Sequence, residues 1–481
     1  MVKEMTRQRE RTQPRKQNPP VAETSAPTTA ARAEELLAKA RRPGIESMRL
    51  HPFYHGKVEI VSRVPVRGME DFGLWYTPGV AEPCKEIKSR PEAVFEHTNR
   101  ANTVAIVTDG TRVLGLGDIG PEAGLPVMEG KSLLFKYLGG VDAYPICLGT
   151  KNPEEIIQAV KWLQPSFGGV NLEDIAQPKC FTILRRLREE CHIPVWHDDQ
   201  QGTATVVTAG LMNALRLVGK PVRQATVALI GAGASNLATL RVLGAAGFDP
   251  RKIVLTDRKG ILHPGREELR TAFPEKWEAC LKTNGEGRTG GIPEAMRGMD
   301  AVVAASQPGP GVLRPGWITA MATEAIVFAI ANPVPEIWPW EATEAGARII
   351  ATGRSDFPNQ VNNSLGFPGI FRGVLDIRAQ TITDGMCVAA AEELASIAQD
   401  KGFSEDRILP RMDEWEVFPR EATAVAMEAL HEGVAGLRKT REEIYSHAEA
   451  VILRARDQTE FLMDRGFILP PPEEPRVPVP A

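Results

Sequence analysis

The chain has 481 residues, carries 57 Lys and Arg against 61 Asp and Glu for a net charge of −4, and is 43% hydrophobic. At about 150 residues per domain that is roughly three folding units of ordinary globular composition, and the acidic balance excludes a strongly basic nucleic-acid binder. No apolar run reaches the roughly 18 residues a membrane span needs, and six scattered cysteines exclude a disulfide framework, so a cytoplasmic protein is expected.

In chain order, residues 1–29 are polar and Pro-rich and read as a disordered tail. Helical composition begins near Ala30 and is expected to stop at Pro43-Gly44. Thr103–Val107 and Arg112–Leu116 read as two short strands joined by an Asp109-Gly110 turn, followed by a helix over Lys131–Leu138. Pro153–Trp162 predicts a helix, Gly169–Leu172 a strand, Lys179–Glu190 a helix and Ile193–Trp196 a strand. This alternation predicts a mainly parallel sheet over residues 30–200. After a long helix at Thr203–Leu217, the apolar runs Ala225–Ile230, Lys252–Thr256, Asp300–Ala305, Ala325–Ile330 and Arg348–Thr352 predict five buried strands. The fold class is therefore α/β, with an N-terminal α/β domain (30–200), a Rossmann-type doubly wound domain (201–375), C-terminal helices (376–466) returning to the first domain, and a Pro-rich tail (467–481).

Two motifs carry chemistry. Gly231-Ala-Gly233-Ala234-Ser235-Asn236 stands between an apolar strand and a helix, where the first glycine permits a tight turn and the second lets the backbone approach a pyrophosphate at the helix N-terminus. Asn236 departs from the small residue usual at that place and is expected to loosen the helix against the sheet. Asp257 ends the next strand, placed to accept ribose hydroxyls and favour NAD, but Arg258 and Lys259 follow and leave NADP open. The second motif is acidic. Glu173-Asp174 and Asp198-Asp199 end two different strands, and carboxylates gathered at a crevice suit Mg²⁺ or Mn²⁺. His192 and His197 lack the spacing of a soft-metal site.

Taken together, the strings Leu74–Ala81, Thr108–Asp118, Pro126–Lys131, Asn171–Asp174, His197–Ala204, Ala331–Pro333 and Asn359–Asn363 resemble those of the malic enzymes of the shorter bacterial and archaeal type. The resemblance implies metal-dependent oxidative decarboxylation of L-malate to pyruvate and CO₂ with reduction of NAD(P), by a homodimer. It implies that Glu173, Asp174 and Asp199 hold the metal and that Lys131, with a lowered pKa, is the general base. Asp198 would position or relay its proton, and Tyr76 would be the general acid. Arg112, Asn332 and Asn363 would bind substrate; Gly231, Gly233, Ala234, Ser235, Asp257, Asn332 and Asn362 would bind the dinucleotide. A malolactic or oxaloacetate-decarboxylating reaction on the same scaffold, and a non-catalytic dinucleotide sensor, are the alternatives.

Overall fold

A computed structural model describes residues 29–473. They fall into two units divided between Phe53 and Tyr54. The described part of the first is a helix, Thr29–Tyr54, that carries Pro43 and Pro52 within it. It does not stop at Pro43-Gly44 as expected: a proline removes one backbone donor and bends a helix without necessarily ending it. All that follows concerns the second unit.

Two parallel sheets organise it. The first contains β1 (Thr103–Thr108), β2 (Asp142–Cys147), β3 (Gly169–Leu172) and β4 (Val195–His197), in the spatial order β2-β1-β3-β4. Its strands are parallel throughout, and every residue of β1, β3 and β4 is buried. Burial on both faces is why these segments are apolar runs rather than alternating ones. The second sheet contains β5 (Val227–Ile230), β6 (Ile253–Asp257), β7 (Gly260–Ile261), β8 (Ala301–Ala304), β9 (Ala325–Ala329) and β10 (Ala347–Thr352), in the order β10-β9-β8-β5-β6-β7. Only β7 runs antiparallel, folding back on β6. A single apolar cluster contains Val107 and Leu172 of the first sheet, Leu229 and Ile326 of the second, and Val206 and Leu211 of the Thr203–Leu217 helix. That helix therefore spans the region between the sheets.

The C-terminal helices lie on the first sheet's side. Phe367 and Phe371, on the Phe367–Asp376 helix, put their rings 4.6 and 5.2 Å from that of Phe135. Phe135 belongs to the Pro121–Gly139 helix, and all three rings are buried. Truncating one such ring in a packed core costs about 3–5 kcal/mol, so this cluster anchors the helix that carries Lys131. A Cβ on Gly140 would press on Val451, which sets the Arg441–Asp464 helix against the end of the same element.

Two local expectations are corrected. Arg112–Leu116 is not a strand but a compact loop: Val113 forms a lone bridge with Gly117, and Leu114 (φ 48°), Gly117 and Gly120 all take positive φ. The strand paired with β1 on that side is β2, thirty residues further on. The helix expected over Lys131–Leu138 begins ten residues earlier, at Pro121, where the proline takes the first helical turn.

Candidate active site

Parallel sheets bind ligands beyond the carboxyl ends of their strands, where the strand order reverses direction. In the first sheet that point lies between β1 and β3, because the chain leaves β1 for β2 on one side and returns to β3 on the other. Arg112 follows β1 and Glu173-Asp174 follow β3, and the Arg112 N–H donates to the Asp174 carbonyl at 2.9 Å. Asp198 and Asp199 follow β4 in a single π-helical turn, Asp198–Gly202, before the Thr203–Leu217 helix starts. A Cβ on Gly202 would lie 1.9 Å from Asp198 Oδ1, so only glycine lets this turn close over the acid.

The sheet ends bring Glu173, Asp174 and Asp199 together: one carboxylate oxygen of each lies within 4.8 Å of the others. Asp174 takes a left-handed backbone conformation (φ 55°), which is uncommon away from glycine and fixes how its side chain is presented. Its N–H donates to Asp199 Oδ2 at 2.9 Å, while its own buried Oδ2 has no hydrogen-bond partner. Asn171 donates to Glu173 Oε2 at 2.8 Å. Burial, and then Asp199, push Asp174 up to about 8, and burial drives Glu173 well above the usual carboxylate range. Three crowded acids, one with an unpartnered oxygen, form the all-oxygen donor set that a hard divalent cation takes.

Lys131 projects into this cluster from its helix and is 8% exposed. Its Nζ lies 2.5 Å from Asp198 Oδ2, 3.2 Å from Glu173 Oε1 and 4.3 Å from the centre of the Phe367 ring. Asp198 is fully buried, and its other oxygen accepts from Trp196 Nε1 at 3.2 Å. The expected lowering of the Lys131 pKa is not what these contacts give. Burial pushes the amine down, but Asp198 and Glu173 outweigh it and hold the group above its ordinary value. His197 is buried with neither ring nitrogen hydrogen-bonded, its Nδ1 3.6 Å from Asp199 Oδ2, and burial pushes its pKa down.

The remaining candidates separate into two groups. Asn332 lies half-buried after β9 at a cis Asn332–Pro333 bond, and a Cβ on Gly115 would meet its carbonyl oxygen at 2.5 Å, so the loop bearing Arg112 touches the second sheet's exit loop. Asn363 lies beside the Asp198–Gly202 turn, its Cβ 3.2 Å from the place of a Gly202 Cβ. Asn362 caps a short turn by accepting from Ser364 N at 2.9 Å, and its Nδ2 reaches the Gly353 carbonyl at 3.4 Å. Arg112 is exposed and makes no ion pair among the described residues. Tyr76, at the end of the Met69–Trp75 helix, is 73% exposed and its hydroxyl joins none of the cluster.

On the second sheet the reversal falls between β5 and β8. Gly231 (φ 96°) makes the turn after β5, and a Cβ there would strike the Ala305 carbonyl at 2.8 Å. Gly233 precedes the helix Ala234–Ala245, whose first turn holds Ala234 and Ser235. Asn236 does not loosen this helix. It is buried and donates to the carbonyls of Ile230 and Gly231, both at 3.0 Å, tying the helix to the strand end. Asp257 ends β6 beside the glycine turn, whose Gly231 and Ala232 N–H groups donate to the Thr256 carbonyl.

Comparison with known proteins places the fold in a family. Residues 55–188 match the family model for the malic enzyme N-terminal domain and residues 200–430 that for the malic enzyme NAD binding domain. The chain belongs to the malic enzyme family. It is 48% identical over 399 residues to the bifunctional malic/malolactic enzyme of Bacillus subtilis, covering 83% of this chain and 96% of that one. It is also 48% identical to the NAD-dependent malic enzyme of Geobacillus stearothermophilus, over 79% of this chain and 78% of that one. Among solved structures, the malic enzyme of Entamoeba histolytica superposes with a TM-score of 0.90 at 48% identity, over 92% of this chain and 93% of that one.

Within this malic enzyme scaffold, sequence reasoning passes over several residues at the two crevices. Buried Asp109 pairs with Lys179 and accepts from Thr111 Oγ1 at 2.6 Å, bracing the loop after β1. Buried Glu336 accepts from Ser306 N at 3.0 Å and from Ala331 N at 3.1 Å, linking the loops after β8 and β9. Asp109 stands inside a matched string, whereas Glu336 carries no signal before the chain is folded.

Proposed function

We propose that this chain catalyses the oxidative decarboxylation of L-malate to pyruvate and CO₂ with reduction of NAD(P), assisted by Mg²⁺ or Mn²⁺ held by Glu173, Asp174 and Asp199. The observation that carries the reading is the buried Lys131–Asp198 pair set against three convergent carboxylates. When bound, a divalent ion supplies Lewis acidity to the substrate's C2 oxygen and a positive charge that offsets the acids holding Lys131 protonated. NAD(P), when bound at the Gly231–Ser235 turn, is the hydride acceptor.

The chain's own groups do the rest. Lys131 takes the C2 hydroxyl proton, and Asp198 holds the amine in place and shares that proton through their 2.5 Å contact. Arg112, exposed and without an ion pair among the described residues, can clamp a malate carboxylate with its planar fork. Asn332 and Asn363 orient substrate and nicotinamide without adding charge. Tyr76 returns a proton to C3. Its exposure, with Ile60, Met69, Phe72, Leu74 and Trp75 also exposed nearby, fits a segment covered by a second copy of the chain in a homodimer. Scattered cysteines, four of them buried, fit a reducing cytoplasm. Malate decarboxylation to lactate is the second reading, favoured by the likeness to a protein named as bifunctional.

Lys131→Met tests the assignment. It is expected to lower kcat by at least about 100-fold, the lower end of what a positioned base contributes, while dinucleotide binding measured by fluorescence is retained. Turnover at the wild-type rate would contradict the role of the lysine.

A further inference from the structure

Aromatic side chains from three elements close in the Lys131–Asp198 pair. Trp196 lies on β4 and Asp198 just beyond it, and because side chains alternate along extended backbone, positions 196 and 198 share a face. Trp196 Nε1 donates to Asp198 Oδ1 at 3.2 Å, and no other group among the described residues donates to that oxygen. Gly202 closes over the same oxygen, where a Cβ would clash with it. The indole packs edge-on to Phe371 (6.3 Å, 77°), Phe371 edge-on to Phe135 (5.2 Å, 78°), and Phe135 against Phe367 at 4.6 Å. The circuit returns to its start at Phe367, whose ring centre lies 4.3 Å from the Lys131 amine. All four rings are fully buried.

We propose that Trp196 is a positioning residue for the Lys131–Asp198 pair, its indole N–H setting which way the Asp198 carboxylate faces. The proposal rests on the reading of that pair as the group that takes the C2 hydroxyl proton. A carboxylate turns broadly about its last side-chain bond, so without a second partner either oxygen could meet the amine. One N–H, itself fixed by ring packing, holds Oδ1 and leaves Oδ2 for Lys131 Nζ at 2.5 Å. An indole nitrogen donates and does not accept. Oδ1 therefore stays an acceptor, and a proton shared by the pair is confined to the Oδ2–Nζ side. A phenylalanine at position 196 would keep the edge-on ring contact but hold neither oxygen.

The test replaces Trp196 in the full chain with benzothienylalanine, which keeps the bicyclic shape and lacks the N–H, and separately makes Trp196→Phe. With L-malate, Mn²⁺ and a dinucleotide, each variant is expected to lower kcat at least about tenfold, the scale of one hydrogen bond to a charged group. KM for L-malate, and Mn²⁺ affinity read by electron paramagnetic resonance, should stay at their wild-type values. The solvent deuterium isotope effect on kcat should rise, because proton transfer becomes the slower step. Lost packing alone would lower the thermal midpoint and the affinities together and leave the isotope effect where it was; benzothienylalanine separates the two by restoring the packing that Trp196→Phe removes. A benzothienylalanine variant with wild-type kcat, or with a lowered kcat and an unchanged isotope effect, would overturn the proposal. Wild-type protein that does not turn over L-malate would overturn the reading of the pair, and the proposal with it.

Discussion

Glu336 shows how much a single buried acid is asked to do. Its carboxylate gathers the N–H groups of Ser306 and Ala331 and the Ser306 hydroxyl, so it holds in register the two loops that follow β8 and β9, one of which leads into Asn332. Burial pushes its pKa from 4.5 up to about 7, with the hydrogen bonds opposing that rise only in part. A folded-state pKa above the unfolded one means that the native protein holds a proton the unfolded chain has released. The associated stability is complete below the unfolded value and declines as pH rises from about 4.5 through about 7. The gap between those two values corresponds to an order-of-magnitude loss of about 3 kcal/mol. Urea unfolding of wild type and Glu336→Gln at pH 5 and pH 8 should show the wild type losing stability relative to the variant by up to that amount. Parallel pH dependence of the two proteins would mean that Glu336 does not titrate in this range.

At the level of elements, what sequence makes legible is what burial on both faces imposes. β3, β5, β6, β8 and β9 appear within two residues of their expected ends because a strand buried on both faces must be an apolar run. β2 is missed because it is an edge strand: only partly buried, with Pro145 tolerated where no further strand needs its N–H. Arg112–Leu116 is misread because the same alternation that marks a strand here buries Val113 in a loop and leaves Leu114 in a left-handed conformation. The acids are legible for a better reason. Glu173-Asp174 and Asp198-Asp199 sit at strand ends, and parallel neighbours deliver strand ends to one place, as the pairing of Leu172 with His197 does here. The ion pairs of Asp257 are not legible, because Arg266 (3.2 Å) reaches it from a loop and Lys276 (3.4 Å) from the Pro274–Lys282 helix, and no periodicity encodes where those side chains turn.

At the scale of the whole molecule, the two sheets place their reversal points so that the loop after β1 meets the loop after β9, at the contact of Gly115 with Asn332. The crevice that gathers the acids on one sheet is thereby set beside the second sheet. The exposed apolar residues around Tyr76 belong to the same scale: sedimentation at twice the mass of the chain is the expected outcome, and a stable single-chain species would contradict the homodimer. Among the described residues no helix is long and apolar enough to cross a membrane. The reaction itself is tested most directly by its stoichiometry, with L-malate, Mn²⁺ and either dinucleotide supplied to the purified chain. One reduced dinucleotide and one CO₂ should form for each pyruvate released, with no lactate. Release of CO₂ with lactate and no reduced dinucleotide would contradict the oxidative reaction.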